Sequence, residues 1–187
     1  MKTSFKHLFY ALFLFGLACL SCSRHKPDAG SFYLRGVSEY AATNYLAAIT
    51  NFTCAIESDS NYFKAYSYRG SCKFYVHDIE GAFADDRFAL KIEPNQSGPH
   101  NDMGYMDFML SNYLDAIYEY NVAIKLNPTN YLAYNNRGNA NLRIGNFIAA
   151  ISDYDTAFEL NPKYFVAYTN LVYAKKRLME IQNVQQK

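Results

Sequence analysis

The side chains that could do chemistry are few and scattered. Histidines stand at 7, 25, 77 and 100 and cysteines at 19, 22, 54 and 72. No set of them has the spacing of a zinc site, so neither a metal centre nor a catalytic one is expected, and no cofactor. The repeated glycines Gly36, Gly70, Gly104 and Gly138 stand at helical spacing, unlike the turn glycines of a phosphate loop. Arg35, Arg69 and Arg137 each precede one of them, and sixteen residues on stand Asn51, Asp85 and Asp153. Arg with Asp at two matched places predicts structural ion pairs between helices; Met103 takes the arginine's place in the third window, which should lack one. If the chain is exported, an oxidising compartment permits a disulfide between Cys54 and Cys72; two small buried thiols are the equal alternative.

The elements that position these groups repeat every 34 residues. Gly36, Gly70, Gly104 and Gly138 are joined at that period by Ala48, Ala82, Ala116 and Ala150, and by Ala55, Ala89, Ala123 and Ala157. Pro94, Pro128 and Pro162 follow, with Ser60 in the first slot. Self-similarity at a fixed period of this length decides the architecture before any local pattern does. Within each period, apolar residues recur at three- and four-residue spacing on both sides of a short polar break, which reads as two helices. The proline ends the second of them, because it has no amide to donate and its ring crowds the preceding turn. Small residues at matched places let two antiparallel helices come close.

In these marks the sequence resembles the tetratricopeptide repeat family, whose 34-residue helix-turn-helix unit carries an aromatic, a Gly, two Ala and a Pro at such spacings. The resemblance implies an all-α fold, a right-handed superhelical stack of units 29–62, 63–96, 97–130 and 131–164. The family's fourth-position aromatic falls at Phe32, Tyr66, His100 and Tyr134. One departure is systematic: the family's usual Tyr at position 11 is Glu39, Lys73, Asp107 and Asn141, with Tyr40, Phe74, Phe108 and Leu142 one step later. Residues 165–187 read as a capping helix and tail. Its expected inner stripe is Phe165, Tyr168, Leu171 and Leu178, with Lys175, Lys176 and Arg177 facing water, as a terminal repeat requires.

The resemblance also implies a function. First helices of such units line a concave groove that binds extended peptides or helices of other proteins. The groove positions nominate Asn101, Asp102, Tyr105, Asn135, Asn136, Asn139, Arg143, Asn170 and Tyr173. Side-chain amides both donate and accept, so a row of Asn can hold a peptide backbone with little regard to its sequence; otherwise the row is solvated surface. A clamp for a C-terminal carboxylate would need Lys at position 5, where Tyr33, Ser67, Asn101 and Asn135 stand. The expected protein is a non-enzymatic scaffold or adaptor. A self-assembling module using its 18 tyrosines, or the regulatory subunit of a separate enzyme, are the alternatives.

The N-terminal segment reads as a secretory signal over 1–18: Lys2 and Lys6, an uncharged run from Leu8 to Ser23, then small residues. The run is shorter than the roughly 20 residues that a spanning helix needs. "GLAC" and "CLSC" resemble the lipobox of bacterial lipoproteins, which implies lipidation of Cys19, or alternatively Cys22, followed by a polar tether over 19–28. An ordinary cleaved signal is the other reading. The resemblance to outer-membrane lipoproteins implies an outer-membrane anchor facing the periplasm, with a periplasmic or secreted protein as the alternative. Without Lys2 and Lys6 the chain has 16 basic and 17 acidic residues, and this balance argues against a nucleic-acid partner.

Overall fold

The computed structural model describes residues 28–185. The signal segment 1–18, Cys19 and Cys22 lie outside the described residues. Within them there are nine helices and no strand. Helices α1 (Ala29–Ala41) and α2 (Tyr45–Ser58) form one hairpin, and α3 (Phe63–Tyr75) and α4 (Ile79–Ile92) the next. The pairs α5 (Ser97–Met109) with α6 (Tyr113–Leu126), and α7 (Tyr131–Arg143) with α8 (Phe147–Leu160), follow; α9 (Phe165–Gln185) ends the stack. No described helix is long and apolar enough to cross a membrane.

Each hairpin turns through one left-handed residue. Thr43, His77, Ser111 and Gly145 have φ of 61°, 66°, 66° and 80°. Only Gly145 takes this conformation without a steric cost from a Cβ. The side chains of Asp78, Asn130 and Asn146 accept hydrogen bonds from backbone amides three residues on, capping α4, α7 and α8.

Packing inside a hairpin follows from the small residues. Ala48, Ala82, Ala116 and Ala150, with Ala55, Ala89, Ala123 and Ala157, are all fully buried. In three hairpins a ring of the second helix lies on the glycine of the first. A Cβ on Gly36 would stand 2.5 Å from the ring of Phe52; on Gly104 and Gly138 it would stand 2.8 Å from Tyr120 and Tyr154. The second hairpin breaks the pattern, because the 34-residue period puts Asp86 where Phe52, Tyr120 and Tyr154 stand.

The matched arginines do more than pair within a unit. Arg69 donates to Asp85 at 2.7 and 2.8 Å and to Thr53 Oγ1, on the preceding hairpin, at 3.1 Å. Arg137 likewise bridges Asp153 and Asn121, each at 2.6 Å. Both guanidinium groups lie over the aromatic ring three residues earlier, Tyr66 and Tyr134, at 5.4 Å. Arg35 is exposed and lies over Phe32. Met103 is buried in the third unit, and there His100 contacts Glu119 at 2.7 Å instead. The polar residue at position 11 ties the first helix to the second or to the turn. Lys73 reaches Asp85 at 2.8 Å, Asn141 reaches Asp153 at 3.1 Å, and Glu39 accepts from Asn44.

The capping helix corrects one expectation. Ala167, Leu171 and Ala174 are its buried residues, whereas Phe165 and Tyr168 are exposed. Close helix approach again selects alanine for the inside, while Phe165 stays exposed and Tyr168 packs its ring on Phe158 at 5.4 Å. Cys72 is a free, fully buried thiol in the core of the first two hairpins, and burial pushes its pKa up to about 12. It packs as a small apolar residue.

Because Ala116 and Ala150 are fully buried at the hairpin contacts, Ala116→Leu or Ala150→Leu should cost about 1 to 3 kcal/mol through overpacking. Urea unfolding checks this. An unchanged midpoint places the helix contact elsewhere.

Candidate functional site

The first helices of consecutive units touch one another directly, so the stack is tighter on their side and they line its inner, concave face. All nine nominated residues lie on α5, α7 and α9. Asn101, Asp102, Tyr105, Asn136, Asn139 and Asn170 are half-buried there, while Arg143 and Tyr173 are exposed. Asn135 is buried at 2% exposure, so its amide faces neighbouring helices and not the open groove.

The asparagines bond to one another across helices. Asn136 donates to Asn101 at 3.2 Å, linking α7 to α5, and Asn170 donates to Asn135 at 3.0 Å, linking α9 to α7. Asn139 accepts from the buried Tyr154 hydroxyl at 2.8 Å, so it completes a core polar group as well as lining the groove. An amide holds two donors and two acceptor sites. Asn101 and Asn136 therefore keep capacity for a further partner.

The other half of the groove, on α1, α3 and α5, is lined by tyrosine. Tyr33 and Tyr40 each meet Tyr68 edge-on, with ring centroids 5.7 and 5.6 Å apart. Tyr45 stacks on Tyr75 at 4.6 Å. Burial beside Tyr68 and Tyr62 pushes the Tyr33 phenol up to about 12. This half is missed by a search for polar recognition groups, although the Tyr count and their density before residue 76 are visible in the sequence.

Between the two halves lies a cavity of about 60 Å³ lined by Tyr40, Ser71, Phe74, Tyr75, Asp102 and Tyr105, together with Met106. Asp102 accepts from Ser71 and Asn101, both at 3.4 Å. Burial raises its pKa to about 6, against the opposing effect of the hydrogen bonds from Asn101, Ser71 and Ser67. Behind it, Asp86 is fully buried and neither carboxyl oxygen has a hydrogen-bond partner. Burial first, then the Asp102 charge, hold its pKa well above the usual carboxylate range; Ser67 lies near but outside hydrogen-bond geometry and offsets this only in part. At the far end, Arg143 donates to Tyr113 at 3.2 Å and Arg177 pairs with Glu180. The acid of the groove thus sits between the tyrosine and amide halves, with the exposed Arg143 beyond it.

Comparison with known proteins agrees with this geometry. Residues 104–145 match the model of the TPR repeat and residues 131–164 that of the tetratricopeptide repeat. Residues 104–164 are therefore tetratricopeptide repeats, and the described chain has the all-α fold of a tetratricopeptide stack. The chain is similar to the first TPR of Spaghetti (RPAP3) bound to an HSP90 peptide, SRMEEVD, with 23% identity over 65% of this chain and 96% of that one (TM-score 0.61). It is similar to YrrB, a TPR protein with an unusual peptide-binding site, with 18% identity over 87% and 84% (TM-score 0.61). Against pilF of Pseudomonas aeruginosa the identity is 16% over 84% and 72% (TM-score 0.75). Among curated proteins none matches the sequence significantly. Tetratricopeptide proteins in general are protein interaction modules, and some bind peptides.

A buried acid with a raised pKa gives a stability signature. In the unfolded chain Asp86 ionises near pH 4, while in the folded chain it keeps its proton to higher pH. Above about pH 4 the folded state binds more protons, so its stability falls as pH rises towards the folded pKa. Asp86→Asn removes that loss. Its stability relative to wild type should rise with pH from about 4 towards the folded pKa, read from urea unfolding at a series of pH values above 4. A constant difference across that range contradicts the assignment.

Proposed function

We propose that the chain is a non-enzymatic adaptor that holds a peptide or helix of another protein in the concave groove. The observation that carries this is the groove itself: a run of consecutive first helices whose half-buried amides, tyrosines and one carboxyl line a cavity of about 60 Å³. The peptide of the RPAP3 neighbour, SRMEEVD, is acidic. This groove has no Lys at position 5 and carries Asp102 at the next position of the third unit, which favours a ligand of different charge. Anchoring through a lipidated Cys19, or Cys22, would hold the adaptor at a bacterial envelope, in the outer membrane facing the periplasm if the source is Gram-negative. A second reading, self-assembly, draws on the open face of α9, where Phe165, Val172 and Tyr173 are exposed. A mass that grows with concentration favours that reading.

Asn101 and Asn136 bond to each other, and removing both also takes one donor from Asp102 and one acceptor from Asn135. Asn101→Ala with Asn136→Ala should weaken capture of the partner about tenfold or more, at roughly 0.5 to 1.5 kcal/mol per lost hydrogen bond. Lys125→Ala, exposed on α6, should leave capture unchanged. Loss with Lys125→Ala and retention with the groove variant contradicts the proposal. The anchor is tested by itself: a fatty-acid probe should label the wild type and fail to label the Cys19→Ala, Cys22→Ala variant. Persistent labelling of that variant, or an unlabelled wild type, removes the anchor.

A further inference from the structure

The cavity where α1, α3 and α5 converge has a chemistry that the amide row lacks. Tyr40, Phe74, Tyr75 and Tyr105 supply its aromatic walls, and Asp102 and Ser71 supply its polar side. Its volume of about 60 Å³ is several times the roughly 10–15 Å³ that one water needs. Among the described residues no salt bridge engages Asp102 or Asp86. Instead a carboxyl that is fully buried and without a hydrogen-bond partner, Asp86, stands directly behind the site, with Ser67 acting on both acids. Its Oδ1 faces Gly70, the residue before the cavity-lining Ser71. The other three hairpins fill Asp86's slot with a ring, so packing alone does not call for an acid there.

We propose that this chamber binds an alkylammonium group, the head of a lysine side chain or the amino terminus of a groove-bound peptide. Aromatic faces attract a cation through their quadrupole, more strongly when the site is desolvated, and the carboxylate of Asp102 supplies the counter-charge. A guanidinium fits less well. Its favoured bidentate mode uses both oxygens of one carboxylate edge, and here Asn101 and Ser71 each already donate to one of them. An ammonium instead points three separate donors, which the carboxylate and the surrounding hydroxyls can share. The inference rests on the reading of the concave face as the ligand face, and it adds what part of the ligand enters the chamber.

Protonation sets the working range. The titratable groups that feel Asp102 are Tyr40 on α1, Tyr75 on α3, Asp86 on α4 and Tyr120 on α6. The phenols are all shifted upward and stay neutral below pH 9, and Asp86 is held protonated beyond the usual carboxylate range. Asp102, raised to about 6, is then the group whose ionisation switches the chamber on. Binding of a cation should strengthen as pH rises through 6.

The test uses the full chain with n-butylammonium as probe and the neutral, equally long n-butanol as control, followed by NMR of the Tyr40, Tyr75 and Tyr105 rings. Saturable shifts with n-butylammonium, at least tenfold weaker with n-butanol, with Asp102→Asn or at pH 5 than at pH 7.5, are the expected result. Nα-acetyl-lysine amide and glycylglycine amide then identify the source, the tighter binder naming side chain or amino terminus. Equal binding by n-butanol, an undiminished Asp102→Asn, or no saturable shift with any of the cations overturns the proposal. Because Asp102→Asn keeps the side-chain shape, the n-butanol comparison on wild type stands even if that variant is less stable. Failure here, with Asn101→Ala and Asn136→Ala still losing the partner, leaves the groove reading in place without the chamber.

Discussion

A ring laid across a glycine is the contact on which the rest of the stack depends. With Phe52 over Gly36, Tyr120 over Gly104 and Tyr154 over Gly138, any Cβ on the glycine would overlap the ring. The two helices of these hairpins then lie close enough to seal the alanine seam between them; in the second hairpin Gly70 lies against the Ala82 carbonyl instead, and its seam is buried too. Close hairpins leave the first helices side by side, and a continuous inner face follows. Arg69 and Arg137 hold the outer side at the same spacing, each guanidinium spanning second helices of two successive units. Once the spacing is fixed on both sides, the positions facing the groove are fixed as well.

The one hairpin that lacks the ring is also where the groove changes character. Asp86 leaves an uncompensated carboxyl in a slot built for a large apolar group, and a buried acid without a partner carries the full desolvation penalty. Natural sequences tolerate such a cost where it serves a site. Upstream of it the groove is tyrosine, whose two-torsion side chains lose little entropy on contact. Downstream it is asparagine, cross-linked from helix to helix. The two halves therefore differ in chemistry, with the acid Asp102 between them.

Much of this organisation is legible in the sequence, because it depends on residues that recur. The 34-residue period, two helices in each period, the glycine contacts and the Arg69–Asp85 and Arg137–Asp153 pairs all follow from spacing and residue type. The missing arginine at Met103 predicts the missing pair, though not that His100 and Glu119 would supply another. What stays hidden is what breaks a pattern or depends on which neighbour a side chain meets. Asp86 stands out only when the slot four residues after each buried alanine is followed through all four units. The capping helix misleads because large apolar residues such as Phe165 and Tyr168 look like a core stripe. Close packing instead favours Ala167 and Ala174, which are fully buried. The polar run at position 11 reads as a departure from the family pattern until Lys73 and Asn141 are seen to reach the aspartates that the arginines hold.

The claim that matters most is that partners bind the inner face of the stack. Site-specific photo-crosslinking tests it most directly, with a benzophenone side chain placed singly at Tyr105 or Tyr173 on the first-helix face and at Tyr118, exposed on α6. The account predicts that Tyr105 and Tyr173 positions capture the same partner and that Tyr118 does not. Capture from Tyr118, with none from Tyr105 or Tyr173, would contradict it and put the binding surface on the second helices.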